Sequence, residues 1–186
     1  DGDDPSERYD VDWIPVHAAD YGGPQIRRRV IIVAFRRDLA IRWRRPSPTH
    51  SEAALLRAQQ SGEYWKEHNI PPVPELVPKA LPQTLEEDDK QRWRTLRDAI
   101  CDLPKPIEGK EIPGYPLHIG WPGARIYRGH TPSKLDRPAK TVKAGVHGVA
   151  GGECVLMDNE GNYRYMTVRE VARVMTFPDK WVLAGP

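Results

Sequence analysis

Six consecutive apolar residues, Val30-Ile31-Ile32-Val33-Ala34-Phe35, constrain the fold of this chain more than any other feature. The run is rich in β-branched side chains and lacks polar alternation. It predicts a strand buried on both faces, as in a parallel or mixed α/β sheet. Val11, Trp13, Pro15 and Val16 form a shorter strand-like run ahead of it, and Tyr21-Gly22-Gly23-Pro24 between the two is a turn signal. With 186 residues the chain is long enough to bury one core and a smaller lobe. Its 19 prolines and 15 glycines call for long irregular loops between elements.

Three Ser/Thr-x-x-Glu patterns mark helix starts. Thr49-His50-Ser51-Glu52 opens a helix through Ala53, Leu56 and Gln60 toward Trp65, with Gly62 as an interruption. Thr84-Leu85-Glu86-Glu87 opens a second, in which Trp93, Leu96, Ile100 and Leu103 recur at helical spacing as core residues before Pro104 ends it. Thr167-Val168-Arg169-Glu170 starts a third, short helix with Val171, Val174 and Met175 inward, ending before Phe177-Pro178. Val155–Met157 and Tyr163–Met166, joined by Asp158-Asn159-Glu160-Gly161, predict a β-hairpin. Five prolines between Ile70 and Pro82 exclude regular helix or central strand there. The Gly- and Pro-rich stretch from Pro104 to Pro138 carries isolated aromatics and reads as ordered loop.

Net charge is only +2, but its distribution is uneven. Asp1, Asp3, Asp4, Glu7, Asp10 and Asp12 make the first twelve residues acidic. Arg27, Arg28, Arg29, Arg36, Arg37, Arg42, Arg44 and Arg45 then crowd a stretch whose one acid is Asp38. Arginine suits bidentate contacts to phosphates and base edges, so the asymmetry points toward a polyanion. Cys101 and Cys154 have no metal-ligand spacing and suggest neither a zinc site nor a disulfide framework. No apolar run is long enough to span a membrane, and the acidic start is unlike a secretion signal, so the expected location is the cytoplasm.

The segment Ala18-Ala19-Asp20-Tyr21-Gly22-Gly23-Pro24-Gln25-Ile26-Arg27-Arg28-Arg29-Val30 is more specific. In an extended chain, alternation places Gln25, Arg27 and Arg29 on one face and Arg28 on the other. The segment resembles the Asn-Ala-x-x-Tyr-Gly-x-Pro-Gln-x-Arg-x-Arg signature of cytosine-5 DNA methyltransferases, with His17 where Asn is common. Two later elements are similar to that family in the same order. Leu135-Asp136-Arg137-Pro138-Ala139-Lys140-Thr141-Val142 resembles its Arg-Pro-x-x-Thr element and is followed by Lys143-Ala144-Gly145-Val146-His147-Gly148. Thr167 to Asp179 resembles its Leu-Thr-x-Arg-Glu-x-Ala-Arg-x-x-x-Phe-Pro-Asp element.

The resemblance implies the end of a Rossmann-like methyltransferase sheet joined to a mixed, loop-rich target recognition domain, α/β in class. Its boundaries would be a flexible lead over residues 1–8, terminal strands of the catalytic domain over 9–45, and the recognition domain with a docking hairpin and helix over 46–186. It implies that Arg29 contacts an extruded cytosine, with Arg27 and Gln25 holding backbone or neighbouring active-site groups, because charge-assisted contacts offset the cost of base extrusion. Arg28, Arg36, Arg37, Lys140, Lys143 and His147 are then candidate DNA contacts. Arg137 and Thr141 are organisers of the recognition domain beside the DNA, and Arg169 a docking residue with DNA contact as a secondary role.

Members of the family attack cytosine through a Pro-Cys thiolate and take the methyl group from S-adenosylmethionine. Neither cysteine here lies in Pro-Cys, and Glu-Asn-Val and the Phe-x-Gly-x-Gly cofactor loop are absent from the sequence. The expectation is therefore a DNA-recognition and cytosine-positioning part that binds double-stranded DNA. It would have no cofactor site and no activity alone. It would work with a catalytic N-terminal half, on the same polypeptide or a separate subunit, in a bacterial cytoplasm at the nucleoid. The alternative is a non-catalytic DNA-binding module derived from a methyltransferase.

Overall fold

The apolar run forms a strand in the computed structural model, which describes residues 8–77, 79, 89–126, 128–129, 131–142 and 154–183. Strand β1 (Tyr9–His17) pairs antiparallel with β2 (Arg28–Arg36), in a register from Tyr9 opposite Arg36 to His17 opposite Arg28. Opposed residues of an antiparallel pair share a face. One face of this ribbon thus carries Tyr9, Val11, Trp13, Pro15, Val30, Ile32 and Ala34, and every one of them is exposed. The other face has Ile14 buried and Val16, Val33 and Phe35 half-buried. The expected burial on both faces does not hold among the described residues, because β2 has a single strand neighbour and no described element covers the apolar face.

The turn between the strands is fixed by Gly22, whose φ of +84° a side chain rarely adopts. Even without that strain, a Cβ there would lie 2.8 Å from His50 Cε1.

Helix α1 (Glu52–Ser61) is capped by Ser51, whose Oγ accepts from the Ala54 N–H at 3.1 Å, two residues later than the expected Thr49 cap. The reason is that Thr49 Oγ1 is engaged instead with His50 Nδ1, at 2.8 Å. Gly62 (φ +92°) breaks the helix as expected, and α2 (Glu63–Glu67) follows. The short strands β3 (His50–Ser51) and β4 (Gln91–Arg92) pair in parallel beside them.

The pattern Thr84–Glu87 lies outside the described residues. Helix α3 covers only Leu96–Ile100, and its capping box is formed by Thr95 and Asp98. Trp93 thus precedes the helix instead of belonging to it. The apolar spacing identified core nonetheless: Trp93, Leu96 and Ile100 are buried and Leu103 packs at the edge.

Further on, β5 (Ile107–Glu108) pairs in parallel with β6 (Ile119–Gly120). A small sheet joins β7 (Ser133–Lys134), β8 (Val155–Met157) and β9 (Tyr163–Tyr165), the last two forming the expected hairpin. Helix α4 (Val168–Val174) has both hydrogen bonds of the Thr167–Glu170 capping box. The fold is mixed α/β with small sheets and loops.

Two apolar clusters hold it together. Ala19, Leu55, Tyr64, Trp65, Leu76 and Trp93 form one, and Leu96, Ala99, Ile100, Ala139, Leu156, Met166 and Val174 the other. A buried polar network joins them. Arg97 makes a two-point contact to Asp136, Tyr64 Oη donates to Asp136 Oδ1 at 2.9 Å, and Tyr64 and Thr95 hydroxyls lie 2.9 Å apart. Burial, with Asp136 beside it, pushes the Tyr64 phenol well above its usual range, so it stays a donor.

Candidate functional site

Residues 24–27 run alongside residues 139–142. Ala139 N–H donates to Pro24 O (2.9 Å) and Ile26 N–H to Ala139 O (2.7 Å). The Thr141 hydroxyl donates to Ile26 O, and Arg27 Nη1 to Val142 O at 3.1 Å. From the other side, Ala18 N–H donates to Arg27 O at 2.9 Å. The Gln-x-Arg-x-Arg segment is thus clasped by the Arg-Pro-x-x-Thr-like segment, 115 residues away in sequence.

This clasp grades the three candidate residues by burial instead of presenting them in one row. Gln25 is 2% exposed, with Nε2 against Met175 Sδ at 3.3 Å and Oε1 without a hydrogen-bond partner among the described residues. Arg27 is half-buried and anchored, and Arg29, at the start of β2, is exposed, donating to the Arg28 carbonyl at 2.6 Å. Arg28 stands on the opposite, apolar face of the ribbon beside Val30, as alternation requires.

Not all of the arginine cluster is available to a polyanion. Arg36 pairs with Asp38 at 2.7 Å, Arg37 with Asp10 at 2.8 Å, and Arg45 with Asp12. Asp10 and Asp12 of β1 thus meet basic residues that follow β2, a neutralisation that a count of charges along the sequence does not reveal.

Arg137 is half-buried and donates to Leu76 O at 3.2 Å. Lys140 reaches Thr131 Oγ1. Arg169 is 3% exposed, its Nε donating to Pro116 O and its Nη1 to Asp179 O, both at 3.1 Å. Its charge is therefore spent inside the protein, on tying α4 to the loop before β6 and to Asp179. Arg173 similarly joins Asp179, Asp102 and Ala99 O. Lys143 and His147 lie outside the described residues.

One cluster had no signal in the sequence beyond composition. Glu67, His68 and Asp98 each bring a ligand atom within 4.8 Å of the others. A cation already bridges two of the three: Arg92 Nη1 lies 2.7 Å from Asp98 Oδ2, and Nη2 contacts both oxygens of Glu67. A metal ion would have to displace that guanidinium. Burial raises the Asp98 pKa, but Arg92 and the Thr95 N–H outweigh it and hold the carboxyl below its usual range. His50 nearby is pushed down by burial and by Arg94 and Arg92.

His50, Glu67, Arg92, Arg94 and Asp98 are among those lining a cavity of about 330 Å³, and Arg94, Asp98, Asp102, Arg173 and Asp179 are among those lining another of about 500 Å³. S-adenosylmethionine requires an apolar slot for its adenine ring. The smaller cavity, walled by His50, Glu67, Gln91, Arg92, Arg94 and Asp98, offers no such slot.

The family model described as C-5 cytosine-specific DNA methylase matches residues 5–186. Among curated proteins, the type II methyltransferase M.BsuRI of Bacillus subtilis is 28% identical over 186 residues, covering 94% of this chain and 33% of that protein. M.MthTI of Methanothermobacter thermautotrophicus is 26% identical, covering 94% of this chain and 47% of its own. M.Eco47II of Escherichia coli is 32% identical, covering 89% and 37%. The chain therefore spans between a third and a half of the length of these relatives.

Proposed function

The chain belongs to the C-5 cytosine-specific DNA methylase family, and from that premise we propose that it is the DNA-recognition and cytosine-positioning part of an S-adenosylmethionine-dependent DNA (cytosine-5) methyltransferase. The observation that carries this reading is the exposed apolar face of the β1–β2 ribbon, with Arg29 at the start of β2 on the opposite face. Exposed apolar surface of this extent marks an interaction site. The occupant that fits is the rest of a catalytic α/β sheet, contributing the nucleophilic cysteine and the cofactor loop. Docked there, it would bring its reacting groups to the start of β2, where Arg29 projects from the other face of the ribbon.

In this arrangement Gln25 and Arg27 fix the backbone, and Arg29 supplies a charge-assisted contact to the extruded cytosine. Extrusion costs a few kcal/mol, which contacts of this kind offset. The loop-rich region from about Lys105 to Gly152 supplies the residues that read bases in the major groove.

Mixing the chain with a catalytic N-terminal half and following transfer of labelled methyl groups to cytosine tests the reading. Transfer in the mixture and in neither part alone is expected. DNA binding without transfer would favour a non-catalytic module, and no duplex binding at low salt, where phosphate contacts are strongest, would remove both readings.

A further inference from the structure

Trp121 is 66% exposed, immediately after the buried Gly120 at the end of β6. Exposing an indole forgoes the burial of a large apolar surface, so an indole held out in solvent on an anchored backbone calls for a partner. The backbone around it is anchored. His118, three residues earlier, is fully buried, its ring nitrogens bonded to Thr167 Oγ1 (2.8 Å) and Pro104 O (2.7 Å). Leu117 O accepts from Arg169 N–H at 3.1 Å, and Gly120 O from Gly109 N–H at 3.0 Å. On the far side, the Tyr165 hydroxyl reaches Gly123 O at 3.5 Å.

The surrounding charge identifies the partner. Residues 121–134 contain Arg125, Arg128 and Lys134 and no acid. Arg125 and Arg128 are exposed and have no partner among the described residues. An exposed aromatic among uncompensated cations on an anchored loop matches nucleic acid better than a protein surface.

We propose that Trp121 is a specificity-determining residue: its indole lies against the base pairs of the bound duplex while Arg125 and Arg128 hold the flanking phosphates. The proposal rests on the DNA-recognition reading above and assigns part of the recognition to this one arch.

The test uses the protein with its catalytic half present and a pool of duplexes with a randomised centre. The wild type, Trp121→Ala, Trp121→Phe and, as an exposed control, Trp181→Ala each select from the pool. Trp121→Ala should lose selection at one or more positions and bind the wild-type consensus at least about tenfold more weakly, as loss of one base-pair contact in a specific duplex site predicts. Trp121→Phe should recover most of both, and Trp181→Ala should behave as wild type. The same consensus and affinity in Trp121→Ala would overturn the inference and leave the DNA reading standing. A wild type that retains no duplex at low salt would overturn that reading and the inference with it.

Discussion

The Arg27 guanidinium donates to the Val142 carbonyl at 3.1 Å, linking the segment that leads into β2 to the residue just ahead of the glycine-rich stretch from 143 onward. In Arg27→Met the carbonyl loses a charged donor, and stability should fall by about 1–2 kcal/mol. A shift in denaturation midpoint at unchanged slope would show this; an unchanged midpoint would mean the clasp contributes nothing.

Asp136 is fully buried and paired with Arg97, so removing its charge strands a guanidinium in the interior. Asp136→Asn should cost about 3–5 kcal/mol, whereas Tyr64→Phe, which deletes one neutral donor to the same carboxylate, should cost about 1–2. Thermal or urea unfolding of both variants measures the difference, and equal losses would contradict the charged role of the network.

Stability should fall with acid in two windows. The His50 pKa is depressed below 6.5, so the folded state binds fewer protons than the unfolded one. That contribution is present above pH 6.5 and is lost as pH falls through the folded value. Asp98, Asp102 and Asp179 are depressed below 3.8, so their contributions are present above that pH and lost below it. His50→Gln should flatten the first window only. A stability profile flat from neutral pH to pH 3, or rising toward acid, would be inconsistent with these pairings.

A Cβ on Gly120 would sit 3.0 Å from backbone atoms of Ile107 and Glu108, which cannot rotate away. Gly120→Ala should therefore part β5 from β6, costing about 1–3 kcal/mol by overpacking. It should also weaken DNA binding by displacing Trp121. Wild-type melting and wild-type binding in this variant would show that the close approach carries neither.

The sequence was most legible where signals were local. The Thr167–Glu170 capping box, the hairpin around Asp158–Gly161 and the break at Gly62 all formed as their residues dictate. The helix expected to include Trp93 was misjudged because Thr95 and Asp98 form a box nearer to the apolar spacing. The β2 run predicts two buried faces, but burial depends on what packs against a strand, and residues 30–35 say nothing about that. The pairing of Asp10 and Asp12 with Arg37 and Arg45 joins β1 to the chain that follows β2, and the Arg92 cluster comes from the meeting of α2, β4 and α3. Neither is written in any single segment. The motif around Gln25, Arg27 and Arg29 was legible as residues, while its graded burial emerged only with the clasp.

The most direct measurement compares methyl transfer and duplex affinity in parallel for Arg29→Ala in the enzyme reconstituted with its catalytic half. If Arg29 contacts the extruded cytosine, transfer should drop to background while the Kd for duplex DNA rises by no more than about threefold, since the duplex is held elsewhere. Transfer and affinity falling by the same factor, or transfer surviving, would contradict the assignment of this chain as the cytosine-positioning part.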